Sequence, residues 1–175
     1  MCGRRRRELE DRVLTCLNPN TTVEFYEGFQ TEYLKTSSVF NKAQNNVLVI
    51  DDLLHEVSDN PVLCTIFTTD VHHKNIGVFL VGHNLFNPGT HYRNAMRNAD
   101  FIICFNQPRD KGVIQALSRQ LYQNSKFLPD VYDKTVNSKP YGYFLCDLKP
   151  SCPQIARVQS NIFGESGALE LFIPQ

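Results

Sequence analysis

Asn46-Val47-Leu48-Val49-Ile50-Asp51-Asp52-Leu53-Leu54-His55-Glu56 runs four consecutive apolar residues straight into two adjacent carboxylates. A short continuous apolar run predicts a strand over Asn46 to Ile50, of the kind buried on both faces in a parallel sheet. Working outward, the same change from apolar to polar recurs twice. Ile76 to Val81 predicts a second buried strand, followed by the polar turn Gly82 to Gly89, GHNLFNPG. Phe101 to Phe105 predicts a third, followed by Asn106 and Gln107. Ligands of open parallel sheets bind beyond the carboxyl ends of the strands. Asp51 and Asp52, His83 and Asn84, and Asn106 and Gln107 are the polar residues the three strands deliver to that end; sequence alone does not show that the three ends are adjacent.

Helical patterns separate these strands. Asn60 to Val71 predicts a helix with Pro61 in its first turn, and Thr90 to Arg97 a shorter one. Asp110 is placed to cap a helix running to Tyr122, and Lys126 to Val136 predicts another. Thr22 to Tyr26 reads as a short β-type run closed by Gly28. Tyr141 to Leu148 and Arg157 to Phe163 read as late strands, with Pro150 and Pro153 in the loop between them. Strands alternating with helices predict an α/β fold, a mainly parallel sheet covered by helices. Residues 1–21 form a divergent N-terminal segment, 22–163 the core, and 164–175 a loose C-terminal tail.

At 175 residues the chain has the length of one domain with a real core. Lys plus Arg and Asp plus Glu both total 18, so overall charge points to no polyanionic partner. The dense basic run Arg4 to Arg7 sits beside Glu8, Glu10 and Asp11, which reads as a solvated terminus. The six cysteines contain no CxxC pair, and Cys104 and Cys146 lie inside apolar runs as small core residues. No signal-peptide or membrane-span pattern occurs, and the expected compartment is the reducing cytoplasm or nucleus.

An apolar strand ending in an acid pair is the pattern of a Walker B motif. Its first acid holds the magnesium of a nucleotide, usually through water, and its second orients or deprotonates the attacking water. The plainer reading is a strand followed by an Asp helix cap. The wider chain contains VLVIDDLLHE, FTTDVHHKNIGVFLVGHNLFNPG, THYRNAM, FNQPRDKGVIQALSRQLY, KPYGYFLCDLKPSCP and RVQSNIF in that order. With these pieces, Thr22 to Phe163 resembles the DNA-packaging ATPases of Polinton (Maverick) elements, adintoviruses and virophages, within the FtsK/HerA superfamily of P-loop NTPases.

The resemblance implies a RecA-like core that uses ATP and Mg2+ to drive double-stranded DNA into a capsid. Its implied partners are further copies in a ring, commonly a hexamer, together with double-stranded DNA and capsid proteins, with no membrane. By position, Asp51 would hold magnesium through water, Asp52 would be the catalytic acid, and His83 with Asn84 would end the sensor strand. Relatives usually carry a glutamine where His83 stands; a neutral imidazole can also donate or accept a hydrogen bond. Arg93 is the first candidate for a finger reaching a neighbour's nucleotide, and Arg109 the second.

The phosphate-binding half of such a site is missing from the sequence. GxxxxGK[ST] supplies the backbone amides and lysine that cradle β- and γ-phosphates. None of the nine glycines, at 3, 28, 77, 82, 89, 112, 142, 164 and 167, is followed by Lys and then Ser or Thr. The expectation is thus a core without its N-terminal P-loop strand and helix, an incomplete copy that is inactive alone. In such sheets the P-loop strand is interior, so its loss predicts unpaired backbone and an exposed apolar flank. Two alternatives belong to other classes. One is a non-hydrolysing interaction module that joins an ATPase ring; the other is a metal-dependent nuclease or hydrolase using the acids with His72, His73, His83 and His91.

Overall fold

The computed structural model describes residues 20–36, 39–108, 111–124, 126–138, 140–162 and 168–174. Residues 1–19, with the basic run, and the candidates Arg109 and Asp110 lie outside the described residues. In chain order the elements are α1 (Thr31–Lys35), β1 (Asn46–Asp51), α2 (Leu54–Val57) and α3 (Pro61–Thr65). A π-helical turn (Ile66–Asp70) continues α3 into α4 (Val71–His73), and β2 (Ile76–Val81) and α5 (Thr90–Arg97) follow. Then come β3 (Phe101–Phe105), α6 (Lys111–Leu121), α7 (Phe127–Val136), β4 (Tyr143–Asp147), β5 (Val158–Ser160) and β6 (Glu170–Phe172).

The strands are mixed α/β in arrangement but fall into two sheets. β1 and β2 pair in parallel, Asn46 opposite Ile76 through Asp51 opposite Val81. β3, β4, β5 and β6 pair antiparallel in that order. The expectation of a mainly parallel sheet therefore holds for the first two strands and fails for the third. Phe101–Phe105 finds its partner in Tyr143–Asp147, far along the chain, and not in β2.

Each sheet rests on its own helices. Ile50 on β1 packs with Val57 of α2, Val62 and Leu63 of α3, Ile66 and Phe67 of the π turn, and Tyr92 and Ala95 of α5. In the other half, Ile114, Leu117, Leu128 and Val131 of α6 and α7 pack on Phe144 and Cys146 of β4 and Val158 of β5. Burial of the thiols raises the pKa of Cys104 to about 12 and that of Cys146 further still, as befits unreactive core cysteines.

The expectation of strands buried on both faces is overturned for β1, β2 and β3. All three alternate between covered and open positions. Their apolar outer residues have no covering layer among the described residues, and the continuous runs read equally well as one-sided or two-sided strands. Two smaller expectations also change. Thr22 to Tyr26 forms no strand. Glu170–Phe172, assigned to a loose tail, pairs with β5, with Leu171 opposite Gln159.

Pro61 to Val71 is helical throughout, with Asn60 capping through its side-chain oxygen (Val62 N donating, 3.0 Å) and Pro61 at the first turn. Its unforeseen feature is the π turn. There Asp70, buried, pairs with Lys74 Nζ at 3.0 Å. Among the described residues no helix is long and apolar enough to cross a membrane.

Candidate functional site

The β1 register decides which way each acid faces. Leu48 and Ile50 point into the core under the sheet, so Val47, Val49 and Asp51 share the opposite, open face. Asp51 stands opposite Val81, the last residue of β2. The next residue, Asp52, leaves the strand with φ 54°, in the left-handed region, while its N–H still donates to the Val81 carbonyl at 3.1 Å. Only a few residue types tolerate this conformation, and it costs of order 1 kcal/mol or more away from glycine. The twist carries Asp52 towards His83, where Oδ1 lies 3.9 Å from Nε2. Both side chains are largely open to solvent.

Neither acid is a helix cap. The residue before α2 is Leu53, and no side chain caps that helix. The plain reading of the acid pair therefore loses its structural support at this site.

Two glycines seat the elements around the acids. A Cβ on Gly82 would stand 2.6 Å from Leu54 Cδ1, so this glycine lets the start of α2 close down on the end of β2. A Cβ on Gly89 would meet the Ser58 carbonyl oxygen at 2.4 Å. That close approach allows Tyr92 N–H to donate to the same carbonyl at 3.0 Å, docking α5 against the end of α2. Tyr92 is buried, and its hydroxyl donates to the Asn84 carbonyl at 3.0 Å. Burial of the phenol raises its pKa to about 12.

The sequence candidates divide accordingly. Asp51, Asp52, His83 and Asn84 gather at the carboxyl ends of the paired strands β1 and β2. The Asn84 side-chain oxygen accepts from Phe86 N–H at 3.0 Å and so shapes the turn that follows β2. Arg93 is exposed on α5, where its guanidinium reaches Thr90 Oγ1 at 3.5 Å. Asn106 and Gln107 serve α7: Gln107 N–H donates to the Tyr132 hydroxyl at 2.6 Å, and that hydroxyl donates to Asn106 Oδ1 at 3.4 Å.

Glu56 is a residue that sequence pattern alone does not single out. It accepts from Phe29 N–H at 2.8 Å and lies against Gly28, whose φ is 71°. It thereby ties the incoming chain to α2. The hint was its place in the short segment just beyond the acids.

Asp51 and Asp52 offer hard oxygen donors, the chemistry that suits magnesium bound through water beside phosphates. Among the described residues there is no cluster of three or more His, Cys, Asp or Glu side chains placed to hold a metal by themselves. His72 and His73 are exposed on α4, and the neighbouring Asp70 is taken up by Lys74. No family model, curated protein or solved structure matches this chain.

Proposed function

We propose that this chain carries the metal- and water-handling half of a RecA-like ATPase site of the FtsK/HerA packaging type. The observation that carries the reading is the shared end of β1 and β2. There the parallel pairing brings Asp51, Asp52 and His83 together, with neither acid spent on a helix cap. In this reading Asp51 holds magnesium through water. Asp52 orients a water and accepts its proton, and His83 senses the phosphate by hydrogen bonding. Magnesium bound there would neutralise charge on a transferring phosphoryl group. Arg93, exposed on α5, is suited to reach a neighbouring copy in a ring.

The sequence holds no GxxxxGK[ST], so no hydrolytic step is assigned to the chain alone. In the intact family the work would be ATP-driven movement of double-stranded DNA into a capsid. The test is magnesium-dependent phosphate release from ATP by the purified chain and by Asp52→Asn, each alone and mixed with an intact P-loop-bearing relative. The expected result is no turnover alone, with mixed oligomers whose rate responds to Asp52→Asn. Robust Asp52-dependent turnover by the chain alone would overturn the half-site. An absence of both mixed oligomers and Asp52 dependence would overturn the family reading.

A further inference from the structure

The helical run from Pro61 to His73 changes pitch at the π turn of Ile66–Asp70. A π turn holds one residue more than an α turn, and each residue of a helix advances about 100° round the axis. Without the extra residue, Asp70 and Lys74 would lie about 80° and 120° round from Val62. With it, both return to within about 20° of Val62, on the side that also carries Thr65. Leu34 and Lys35 of α1 close the other side of a hollow of about 340 Å³.

The floor of this hollow is apolar, with Leu34 and Val62 buried and Pro61 beside them. Its wall is the ion pair of Lys74 Nζ with Asp70 Oδ2 at 3.0 Å, whose side chains are only 15% and 12% exposed. Two charges so far from water need further partners to offset their desolvation. Asp70 is the one acceptor that Lys74 Nζ has among the described residues, which leaves two of its three donors to be filled. Lys35 adds a second ammonium, held only by the exposed Glu32 at 2.6 Å, a kind of pair that contributes little in water. The lining thus carries two ammonium groups against one carboxylate. Both walls are pinned from behind. Asn60 Nδ2 donates to Thr31 Oγ1 at 2.8 Å, tying α1 to α3, and Asn46 Nδ2 donates to the Lys74 carbonyl at 3.2 Å.

We propose that this hollow binds a small organic carboxylate with a short apolar body. The carboxylate is received by the ammonium groups of Lys35 and Lys74, and the body lies on Leu34, Pro61 and Val62. A single negative charge matches the excess positive charge of the lining, and its oxygens accept the donors that Asp70 leaves unfilled. The π turn is what makes the site, because it brings the ion pair round to the apolar row. The hollow lies by the amino ends of the parallel strands, since Lys74 leads into β2 and its carbonyl is bonded by Asn46 at the start of β1. Asp51 and Asp52 stand at the carboxyl ends, so this site does not depend on the nucleotide reading.

The experiment is an amide NMR titration of the full 15N-labelled chain with hexanoate, 1-hexanol and hexylammonium. Hexanoate gives saturable shifts at Leu34, Lys35, Thr65 and Lys74 and leaves Asp51 and Asp52 unmoved. It binds about tenfold or more tighter than hexanol, as expected for charge-assisted hydrogen bonds, and hexylammonium does not bind. Lys35→Met, a change at an exposed ammonium, weakens hexanoate about fivefold and leaves hexanol unchanged. Asp70→Asn combined with Lys74→Met removes both buried charges together and lowers the preference for hexanoate to about threefold or less. If circular dichroism shows that double variant unfolded, Lys35→Met decides alone.

Equal binding of hexanoate and hexanol overturns the proposal, as does a preference for hexylammonium. So do shifts that never saturate, or shifts confined to the end that carries Asp51 and Asp52. A Lys35→Met chain that binds hexanoate as tightly as the unaltered one overturns it too.

Discussion

In the antiparallel half, β4 buries Phe144, Leu145 and Cys146 in succession, and β5 adds Val158. In the parallel half, β1 and β2 bury only Ile50 and Ile76, while Val47 (63%), Val49 (59%), Phe79 and Val81 stay open. Both halves spend apolar residues on strands, but with different returns. The antiparallel half is held by its sheet packed on α6 and α7. In the parallel half the fully buried side chains Val57, Leu63, Ile66 and Ala95 all come from helices. Its sheet serves mainly to hold up the end on which Asp51, Asp52 and His83 meet. A sheet that bears the core and a sheet that bears the candidate site therefore answer differently to the same substitution.

The widest gap is predicted between two phenylalanines. Phe144 is fully buried and meets the Tyr132 ring edge-on with centroids 6.3 Å apart. Phe144→Ala should destabilise by about 3–5 kcal/mol through lost transfer energy and the cavity left behind. Phe79→Ala, at a residue more than half exposed, should cost under about 1 kcal/mol. Chemical denaturation of both variants measures the difference; equal losses would mean that β2 is covered in solution.

Gly89 tests the joint between α2 and α5. The missing Cβ leaves room for the Ser58 carbonyl, a backbone group that cannot rotate away. Gly89→Ala should cost about 2–3 kcal/mol, since the chain must shift to relieve the clash. Because the shift carries Tyr92 and Arg93 with it, near-ultraviolet circular dichroism should change as well. Gly112 is the control, with nothing within 4 Å of a Cβ built there.

Tyr92 reports on the same joint through pH. Its phenol ionises near 10 in an unfolded chain but only at about 12 when buried in the fold. The unfolded state therefore loses its proton first. The stabilisation is whole below pH 10 and disappears as pH climbs towards 12, a loss on the order of 2 kcal/mol. Tyr92→Phe should flatten that alkaline slope. At neutral pH it should also lose about 1 kcal/mol from the bond to the Asn84 carbonyl. Denaturation midpoints measured from pH 8 to 11 separate the two effects.

The candidate site was more legible in the sequence than the sheets were. Strand periodicity and the carboxyl-end rule use only local pattern and direction, and they brought Asp51 and Asp52 to the same end as His83. Whether a strand is covered on one face or two depends on layers elsewhere in the chain, and Val47 to Ile50 reads alike in both cases. The partner of β3 was illegible for a similar reason: Ile103 faces Leu145, a pairing that no local window contains. β6 has three residues, too short for any alternation to register. The π turn that buries Asp70 against Lys74 leaves the apolar spacing of a helix almost unchanged. Asn106 and Gln107 contact Tyr132 of α7, because a polar residue after a strand marks a helix contact as readily as a ligand.

The finest distinction between the two halves lies in backbone conformation. Asp52, at the end of β1, holds a left-handed φ of 54°. If nothing but stability governed this position, glycine would serve better, because it adopts that region without a Cβ penalty. Asp52→Gly should therefore stabilise the fold by about 0.5–1 kcal/mol, while removing the carboxylate that faces His83. Asn161, between β5 and β6, has φ 59°. There Asn161→Gly gains less, since Nδ2 donates to the Ala168 carbonyl at 2.9 Å and that bond is lost with the side chain. A rise in melting temperature for Asp52→Gly, absent for Asn161→Gly, would identify Asp52 as a strained residue held at the cost of stability. That pattern belongs to a chemical role. A fall for Asp52→Gly would instead make the acid a structural element of the turn, and the proposed water-handling role would lose its energetic support.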